Sequence, residues 1–430
     1  MVFCSLIRTF VPNMKVLIVN TSERTGGAAV AANRLTEALL NNGVKAKMLV
    51  CKCEKDSSLY VTQTGTRLQN KWNFYYERVI IWLTNRLDKT NLFKVSIANA
   101  GIDVTKTSEF READIIHLHW VNQGFLSLKG IRKILKSGKP VVWTMHDMWE
   151  LTSICHHAYD CQHFETECHD CPFLKTQGPK DLSNRVFRKK LQLLDSAGNL
   201  TFVAVSNWLA DRARSSALTG RFPLTVIPNS ISLSRFVVID RDDARTTLDI
   251  SERYVLAFGA ARIDDPIKGF GYLAEALRLL VESGRIHRED MRVLLFGGVR
   301  DSSVFQQLPV PYTHLGYIDD EDKLSQVYSA SDVTVSSSLY ETFGQTLIEA
   351  MACGSTPVSF DGSGQADIIQ HQQNGYLAER LSAQSLADGI VWSLNAQLTP
   401  RELRRSVIRR YGESVIANRY YELYKSLCHE

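Results

Sequence analysis

The sequence predicts an α/β protein with two domains, each built on a parallel sheet. Short apolar runs rich in β-branched residues alternate with amphipathic helical segments, which is the pattern of parallel strands joined by crossover helices. This alternation runs through residues 14–230, stops over a linker at residues 231–245, and then starts again. The chain has 430 residues, of which 44% are apolar, and can bury two cores of ordinary domain size. We therefore expect a first domain at 14–230, a second at 231–408, and a final helix at 409–430 that packs back on the first.

Composition narrows the class of protein. The 50 basic and 46 acidic residues give a net charge of +4, which is too small to indicate a nucleic-acid partner. No stretch approaches the roughly 20 consecutive apolar residues that a membrane-spanning helix needs. Residues 1–13 have an apolar centre but no small-residue cleavage site, so we interpret them as an unstructured extension. We expect a cytoplasmic protein, either soluble or held at the inner face of the membrane.

The first βαβ unit carries two adjacent glycines at the start of its helix. A strand at 15–20 is followed by Gly26 and Gly27, a helix at 28–41 and a strand at 45–50. Glycine lets a ligand approach the backbone closely, and a helix N-terminus favours a negatively charged group. The alternative is that both glycines serve only a tight turn. No G-x-G-x-x-G sequence follows a predicted strand, which disfavours a dinucleotide-dependent oxidoreductase.

Residues 71–95 combine aromatic and aliphatic side chains with interleaved basic residues. Two interpretations of this segment are open. It forms an amphipathic helix that lies on a membrane or grips a lipid-linked acceptor, or it packs against its own domain and leaves the basic residues in water. The first interpretation would make the protein a peripheral membrane protein.

Histidines follow two predicted strands of the first domain. His117 and His119 end one strand, and His146 ends the next. Ligands of parallel α/β sheets bind beyond the carboxyl ends of the strands, so we expect at least one of these histidines in an active site. The alternative for each is a polar side chain that is simply hydrogen-bonded inside the fold.

Four cysteines lie close together in the sequence, at Cys155, Cys161, Cys168 and Cys171. The spacing Cys168-x-x-Cys171 is typical of zinc ligands, whereas the preceding pair is more widely spaced than in a standard zinc site. Two interpretations are open: a structural zinc site, or reduced cysteines that pack in the core. A disulfide is less expected in a reducing compartment.

The second domain opens with a strand at 254–259, and the loop after it holds Arg262 and Lys268 six residues apart. A guanidinium and an ammonium on one strand-end loop suit a pyrophosphate, because Arg forms paired hydrogen bonds and Lys acts as a point charge. Solvated surface charges are the alternative. Further along, Tyr317 offers a ring on which a planar base could stack.

Two glutamates lie on a strand, loop and helix at residues 332–357. The strand at 332–336 leads into a loop with Glu341, and Glu349 follows eight residues later inside a helix at 347–353. A helix N-terminus after a strand is a ready site for an anion. Carboxylates beside it would repel phosphate, so their expected partners are hydroxyls of a sugar or ribose. The alternative is a surface acid and an ordinary helical acid.

Taken together, these residues resemble family 4 of the retaining glycosyltransferases, over residues 14–425. The resemblance implies the GT-B fold, in which two Rossmann-like domains face each other across a nucleotide-sugar cleft. It is carried by the following motifs: Gly26-Gly27, Thr144-x-His146-Asp147, Pro228-Asn229, Arg262 with Lys268, Glu341-x7-Glu349, and Ala352-x-Gly354-x-x-Pro357. Two positions depart from the family pattern, since Ser230 and Ala261 each replace a usual glycine.

The resemblance implies a role for each matched residue. Arg262 and Lys268 would bind the donor diphosphate, and Glu349 would bind ribose. Glu341 would face the donor sugar, with His146 near the reacting carbon. Backbone contacts to the donor would come from Phe343, Gly344, Gln345 and Thr346. Gly26, Gly27 and Tyr317 are also assigned to donor binding.

The function implied is transfer of a sugar from a nucleotide diphosphate sugar to a hydroxyl of a glycan or lipid-linked oligosaccharide, with no cofactor required for catalysis. Within the family, the chain looks most like the colanic-acid type of bacterial polysaccharide transferase. Two alternatives remain: a sugar-nucleotide epimerase on the same architecture, and a non-catalytic polysaccharide-binding subunit.

Overall fold

A computed structural model of the chain describes residues 14–54 and 56–428. The extension predicted at residues 1–13 lies outside them. The described residues form two sheets with helices on them, and the continuous apolar strands of both sheets are buried, as expected for parallel strands covered on both faces. No described helix combines the length and the apolar character needed to span a membrane.

The first sheet has seven strands. Their bounds are β1 Lys15–Ser22, β2 Lys45–Lys52, β3 Val61–Gln63, β4 Ile115–Leu118, β5 Val141–Met145, β6 Leu200–Ala204 and β7 Leu224–Val226. The strand order is β3-β2-β1-β4-β5-β6-β7, and β1 pairs in parallel with both β2 and β4. The order therefore reverses direction between β1 and β4.

The helices that accompany the first sheet are α1 Gly27–Asn41, α2 Arg67–Thr84, α3 Ser108–Glu112, α4 Leu128–Leu135, α5 Leu182–Leu194 and α6 Asn207–Ser215. Side-chain oxygens fix several of their starts. Asp181 accepts a hydrogen bond from the backbone N–H of Asn184 at 2.9 Å, which caps α5. By contrast, α1 begins at a glycine N-cap that has no side chain to offer.

The second sheet has six strands: β8 Tyr254–Arg262, β9 Met291–Gly298, β10 Tyr312–His314, β11 Val333–Ser336, β12 Thr356–Phe360 and β13 Tyr376–Ala378. Its helices are α7 Arg241–Thr247, α8 Phe270–Glu282, α9 Glu321–Ala330, α10 Gln345–Ala352, α11 Ala383–Asn395, α12 Pro400–Tyr411 and α13 Glu413–Cys428. The order β10-β9-β8-β11-β12-β13 reverses between β8 and β11. Ligands of open α/β sheets bind beyond the strand ends at such a reversal.

The chain groups into two compact units whose limits differ from the predicted boundary at residue 230. One unit comprises the residues up to Thr144, Cys168–Phe202 and the residues from Ala417 onward. The other comprises Met145–Glu167 and Val203–Ile416. Segment 145–167 belongs to the second unit because it hydrogen-bonds to residues that follow β11, a long-range contact that sequence order does not reveal.

Candidate active site

The loop after β8 and the turn after β11 bring Lys268 and Glu341 into contact. The Lys268 ammonium lies 2.9 Å from a Glu341 carboxylate oxygen. The contact depends on Gly269, which has a φ of 67° and packs so closely that a Cβ there would lie 2.0 Å from the Ser337 carbonyl oxygen. The Ser337 hydroxyl in turn donates to the Gly269 carbonyl at 2.8 Å. A glycine is therefore needed to hold the Lys268 loop against the end of β11.

Both members of this pair carry charge at neutral pH. Burial alone would raise the pKa of Glu341, but the charge and hydrogen bond of Lys268 outweigh it and hold that pKa below its usual value. Burial would lower the pKa of Lys268, and Glu341 raises it above its usual value instead. About a quarter of each side chain is exposed, at 27% for Lys268 and 25% for Glu341, so a ligand can reach the pair.

Arg262, the last residue of β8, does not touch the Lys268–Glu341 pair. Its guanidinium binds Asp265 at 2.9 Å and approaches Asp264 at 3.5 Å. The Asp265 charge also acts on Lys268. The two cations predicted to bind a diphosphate are therefore linked through Asp265, and a diphosphate that reached Arg262 would compete with that carboxylate.

The turn at residues 341–344 presents the start of α10. The Thr342 hydroxyl donates to the His146 carbonyl at 2.8 Å, and the backbone N–H of Gly364 donates to the Glu341 carbonyl at 2.8 Å. Gly344 is the N-cap of α10 with a φ of 109°, and it has no side chain that could cap the helix. The N-terminal amides of α10 and the helix dipole therefore suit an anion next to Lys268.

The other predicted donor contacts differ in their exposure. Glu349 lies one turn inside α10, is only 6% exposed, and accepts a hydrogen bond from the Tyr328 hydroxyl at 3.2 Å. Phe343 is buried and packs edge-on against Tyr411, so it anchors the turn. Tyr317 is 64% exposed. The backbone contacts expected from Gln345 and Thr346 would come from the first turn of α10.

Residues after β5 contribute a neutral histidine and a charged aspartate. Burial lowers the pKa of His146 to about 4, although Asp147 opposes the shift. Burial would raise the pKa of Asp147, but the neighbouring His156, 2.7 Å away, lowers it to about 2. Asp147 also accepts a hydrogen bond from the backbone N–H of Trp149 at 2.8 Å. At neutral pH, His146 is therefore an uncharged hydrogen-bonding group within the same unit as Lys268.

His157 is a functional candidate that the sequence did not single out. Its Nδ1 atom is buried and has no hydrogen-bond partner among the described residues. The charges of Glu341 and Lys268 both act on it, and burial lowers its pKa. In the sequence, His157 sits inside the cysteine-rich stretch, where histidines suggest metal ligands. The one sequence signal for a place near the Lys268–Glu341 pair was that His157 follows the His146-Asp147 motif by ten residues.

Gly26 and Gly27 lie in the first unit, where they line a cavity of about 1120 Å³. A Cβ on Gly26 would meet nothing within 4 Å, so its positive φ of 94° is the reason for glycine there. Basic and aromatic side chains complete the walls: Lys52, Arg67, Lys71, Phe74, Tyr75 and Trp120. The cavity combines basic side chains, a helix N-terminus with a glycine N-cap and flat apolar surfaces, a combination suited to an anionic sugar derivative.

The histidines at the end of β4 belong to the packing of the first unit. His117 is fully buried between the Tyr424 hydroxyl at 2.6 Å and the Thr144 hydroxyl at 2.8 Å. Tyr420, also on α13, lies 2.9 Å from the same Thr144 hydroxyl. These bonds tie the C-terminal helix to the strand ends, so His117 is a structural residue. His119 is likewise buried.

The four clustered cysteines divide between the two units. Cys155 and Cys161 belong to one unit, and Cys168 and Cys171 belong to the other. The second pair is buried at the start of α5, where Asp181 accepts from the Cys171 N–H at 2.9 Å. Within the described part of the chain, no three histidine, cysteine or acidic side chains are grouped so as to hold a metal ion. The zinc interpretation therefore gains no support from this structure.

Two family models match the chain. "Glycosyltransferase Family 4" matches residues 25–235 and "Glycosyl transferases group 1" matches residues 252–396. The chain belongs to glycosyltransferase family 4. The resemblance drawn from its motifs is thereby confirmed.

Curated relatives of this glycosyltransferase act in glycolipid and polysaccharide synthesis, according to their names. Phosphatidyl-myo-inositol mannosyltransferase of Mycobacterium tuberculosis is 30% identical over 235 residues, which are 52% of this chain and 59% of that protein. The chain thus spans less than two thirds of that relative. The putative colanic acid biosynthesis glycosyl transferase WcaC of Escherichia coli is 22% identical over 337 residues, covering 73% of this chain and 76% of WcaC.

Solved structures share the fold of this glycosyltransferase. Sucrose-phosphate synthase from Thermosynechococcus elongatus gives a TM-score of 0.66 at 18% identity, with 96% of this chain and 99% of that one covered. Anabaena HepE in complex with UDP and glucose gives a TM-score of 0.64 at 16% identity, and the match covers 96% of this chain and 100% of HepE. The predicted fold class, GT-B with two Rossmann-like domains, is confirmed.

Proposed function

We propose that this glycosyltransferase moves a sugar from a nucleotide diphosphate sugar to a hydroxyl of a glycan or lipid-linked oligosaccharide, with retention of anomeric configuration, in cell-surface polysaccharide synthesis. The observation that carries the proposal is the charged Lys268–Glu341 pair in the same unit as the start of α10, whose N-cap is a glycine. HepE, which has the same fold, binds UDP and glucose. Uridine donors are therefore the first to test.

The main barrier in such a transfer is separation of the diphosphate from the sugar carbon. As that bond breaks, negative charge grows on the phosphate oxygens. Lys268 and the amides at the start of α10 are fixed positive groups that stabilise this charge without having to reorganise. Arg262 adds its charge once the diphosphate displaces Asp265 from it. Because Lys268 already faces Glu341, its ammonium is ordered before the donor arrives. We expect these groups to suffice without a metal ion.

The carboxylates suit the hydroxyl-bearing parts of the donor. In this proposal Glu349, buried and bonded to Tyr328, accepts from ribose hydroxyls, and Glu341 accepts from a sugar hydroxyl. The neutral His146 hydrogen-bonds near the reacting carbon. The acceptor oxygen attacks carbon 1 on the face that the phosphate leaves, and its proton passes to the departing phosphate oxygen. The new C–O bond thus forms as the old one breaks, and configuration is retained.

The acceptor is proposed to bind in the cavity of the first unit that Gly26 and Gly27 line, and the chain is proposed to act at the inner face of the membrane. The cavity's basic and aromatic walls support a phosphate-bearing saccharide as acceptor. The names of two relatives support this proposal, since WcaC is named for colanic acid biosynthesis and the mannosyltransferase for phosphatidyl-myo-inositol, a lipid.

A panel of nucleotide diphosphate sugars tests the donor. A bound donor stabilises the folded chain in proportion to its occupancy, so the matching donor raises the melting temperature and the others do not. The stabilising donor is then incubated with the enzyme and lipid-linked acceptors, and the linkage of the product is determined by NMR. An isomerised sugar nucleotide as the only product would identify an epimerase instead. A panel without any stabilising donor would contradict the proposed function.

A further inference from the structure

Helix α2, Arg67–Thr84, buries mostly polar side chains. Its four buried residues are Asn73, Glu77, Arg78 and Ile81. Glu77 is fully buried and accepts from the backbone N–H groups of Ile97 and Ala98 at 2.7 and 2.8 Å. A helix that packs on its own domain normally buries its apolar side and exposes its polar side.

The opposite face of α2 is a continuous apolar stripe in contact with solvent. Its members follow helical spacing and have the following exposed fractions: Leu68 80%, Trp72 70%, Tyr75 61%, Tyr76 42%, Val79 44% and Leu83 54%. Leu87 and Phe93, in the turns after the helix, are 56% and 62% exposed. Scattered exposed apolar residues are ordinary on a protein surface, but a stripe of this length is not.

The charge around this stripe is positive. Lys71, Arg86, Lys89 and Lys94 are exposed within or just after the helix. The one acid inside α2, Glu77, is buried and paired with Arg78 at 3.0 Å. The exposed side chains of this stretch therefore present apolar and cationic groups together.

We propose that the exposed face of α2, with Leu87 and Phe93, docks the protein on an anionic lipid bilayer. Trp and Tyr favour the boundary between headgroups and acyl chains, and Lys and Arg beside them are attracted to anionic headgroups. A helix of this kind lies in the interface plane with its apolar side immersed. The buried polar face forms hydrogen bonds with residues 92–98. These bonds hold the helix on its domain with the apolar face towards solvent.

Docking of α2 would also bring the acceptor cavity to the membrane. Arg67, Lys71, Phe74 and Tyr75 line that cavity, so α2 is one of its walls. This consequence rests on the proposed function, because it assumes that the cavity takes a lipid-linked acceptor. The docking itself does not rest on it.

The test measures binding of the full chain to sedimenting vesicles without donor or acceptor. Vesicles rich in phosphatidylglycerol are expected to retain the protein, and vesicles of phosphatidylcholine are expected to retain far less. Replacing Arg86 and Lys89 with Gln should weaken binding to the anionic vesicles by roughly fivefold for each charge removed. Trp72→Ser with Leu83→Ser should weaken it by roughly tenfold or more for each large side chain.

Matched control variants distinguish binding through this face from non-specific adsorption of exposed apolar residues to the vesicles. Tyr312 and Ile408 are exposed to a similar degree, 42% and 41%, but lie on other elements. Tyr312→Ser and Ile408→Ser should leave vesicle binding unchanged. Trp72→Ser with Leu83→Ser should leave the melting temperature and transfer to a water-soluble acceptor unchanged, so a loss of binding with intact transfer supports docking alone.

Three outcomes would overturn the proposal. One is vesicle binding that persists when Trp72 and Leu83 are serine, and another is no vesicle binding by the unaltered chain. The third is a dimer in solution, seen by light scattering, that these same substitutions dissociate, since the stripe would then be covered by a second copy. None of these outcomes bears on donor binding, which is measured on its own.

Discussion

Replacing Lys268 with Ala removes the cation that already faces Glu341. At the observed 2.9 Å, two unit charges attract by roughly 6 kcal/mol at an effective dielectric of about 20. A departing diphosphate would gain a similar attraction. Part of it is offset because the ammonium also interacts with Glu341 and must be desolvated. The loss of one such preorganised stabiliser generally costs about 3 to 4 kcal/mol in the transition state. We therefore expect turnover to fall by roughly two to three decades.

The assay follows sugar transfer at saturating donor, with the unaltered chain and two further variants. Lys323→Ala removes an exposed lysine on α9 of the same unit and should leave turnover unchanged. Lys268→Ala combined with Glu341→Gln should cost less than the two single losses added together, because the residues act as a pair. Turnover of Lys268→Ala within a few-fold of the unaltered chain, with an unchanged melting temperature, would refute the assigned role.

Four further predictions follow from the same site. Gly269→Ala should lower both the melting temperature and turnover, since its Cβ would lie 2.0 Å from the Ser337 carbonyl and displace the Lys268 loop. His146 has a pKa of about 4 in the fold against its usual 6.5, so stability should decline by about 3 kcal/mol as the pH falls from 6.5 towards 4, because only the unfolded chain takes up the proton; His146→Gln should flatten that decline. His157→Ala should reduce turnover by at least roughly tenfold, measured at saturating donor, if its buried Nδ1 bonds to donor or acceptor. A chelator should leave turnover unchanged, because fixed cations supply the charge.

Each of these predictions has a contradicting result. Gly284→Ala is a control for Gly269, since it has a similar φ of 66° but open space around its Cβ, and equal losses of turnover in both variants would show that only backbone strain matters. An equally steep pH decline in His146→Gln would remove that histidine as its cause. Normal turnover of His157→Ala would exclude a contact with the reactants. Activity lost to a chelator and restored by a divalent cation would require a metal.

The sequence predicted which charged residues of the candidate site come together only in part. Lys268 and Glu341 were assigned to the same site although they are 73 residues apart and lie on two different loops, and they are in contact. Arg262 was expected beside them and instead binds Asp264 and Asp265. Both carboxylates lie within three residues of Arg262 in the sequence, but the motif does not reveal that they pair with its guanidinium.

Long-range packing explains most of what the sequence could not predict. Strand and helix patterns do not reveal that segment 145–167 joins the second unit through Thr342 and the His146 carbonyl. In the same way, the aromatic and basic composition of α2 left two interpretations open. The docking proposal rests on the inward orientation of Glu77 and Arg78, which bond residues 92–98, and only the folded chain shows that orientation.

The most direct test of the central claim is a comparison of nucleoside diphosphate, monophosphate and free nucleoside binding to the unaltered chain and to Lys268→Ala. Isothermal titration gives the affinity of each. If Lys268 and the start of α10 bind the diphosphate, the nucleoside diphosphate has the highest affinity of the three for the unaltered chain. The substitution then removes most of the difference in affinity between the diphosphate and the free nucleoside. Equal affinity for all three compounds, or an advantage that survives the substitution, would contradict the account.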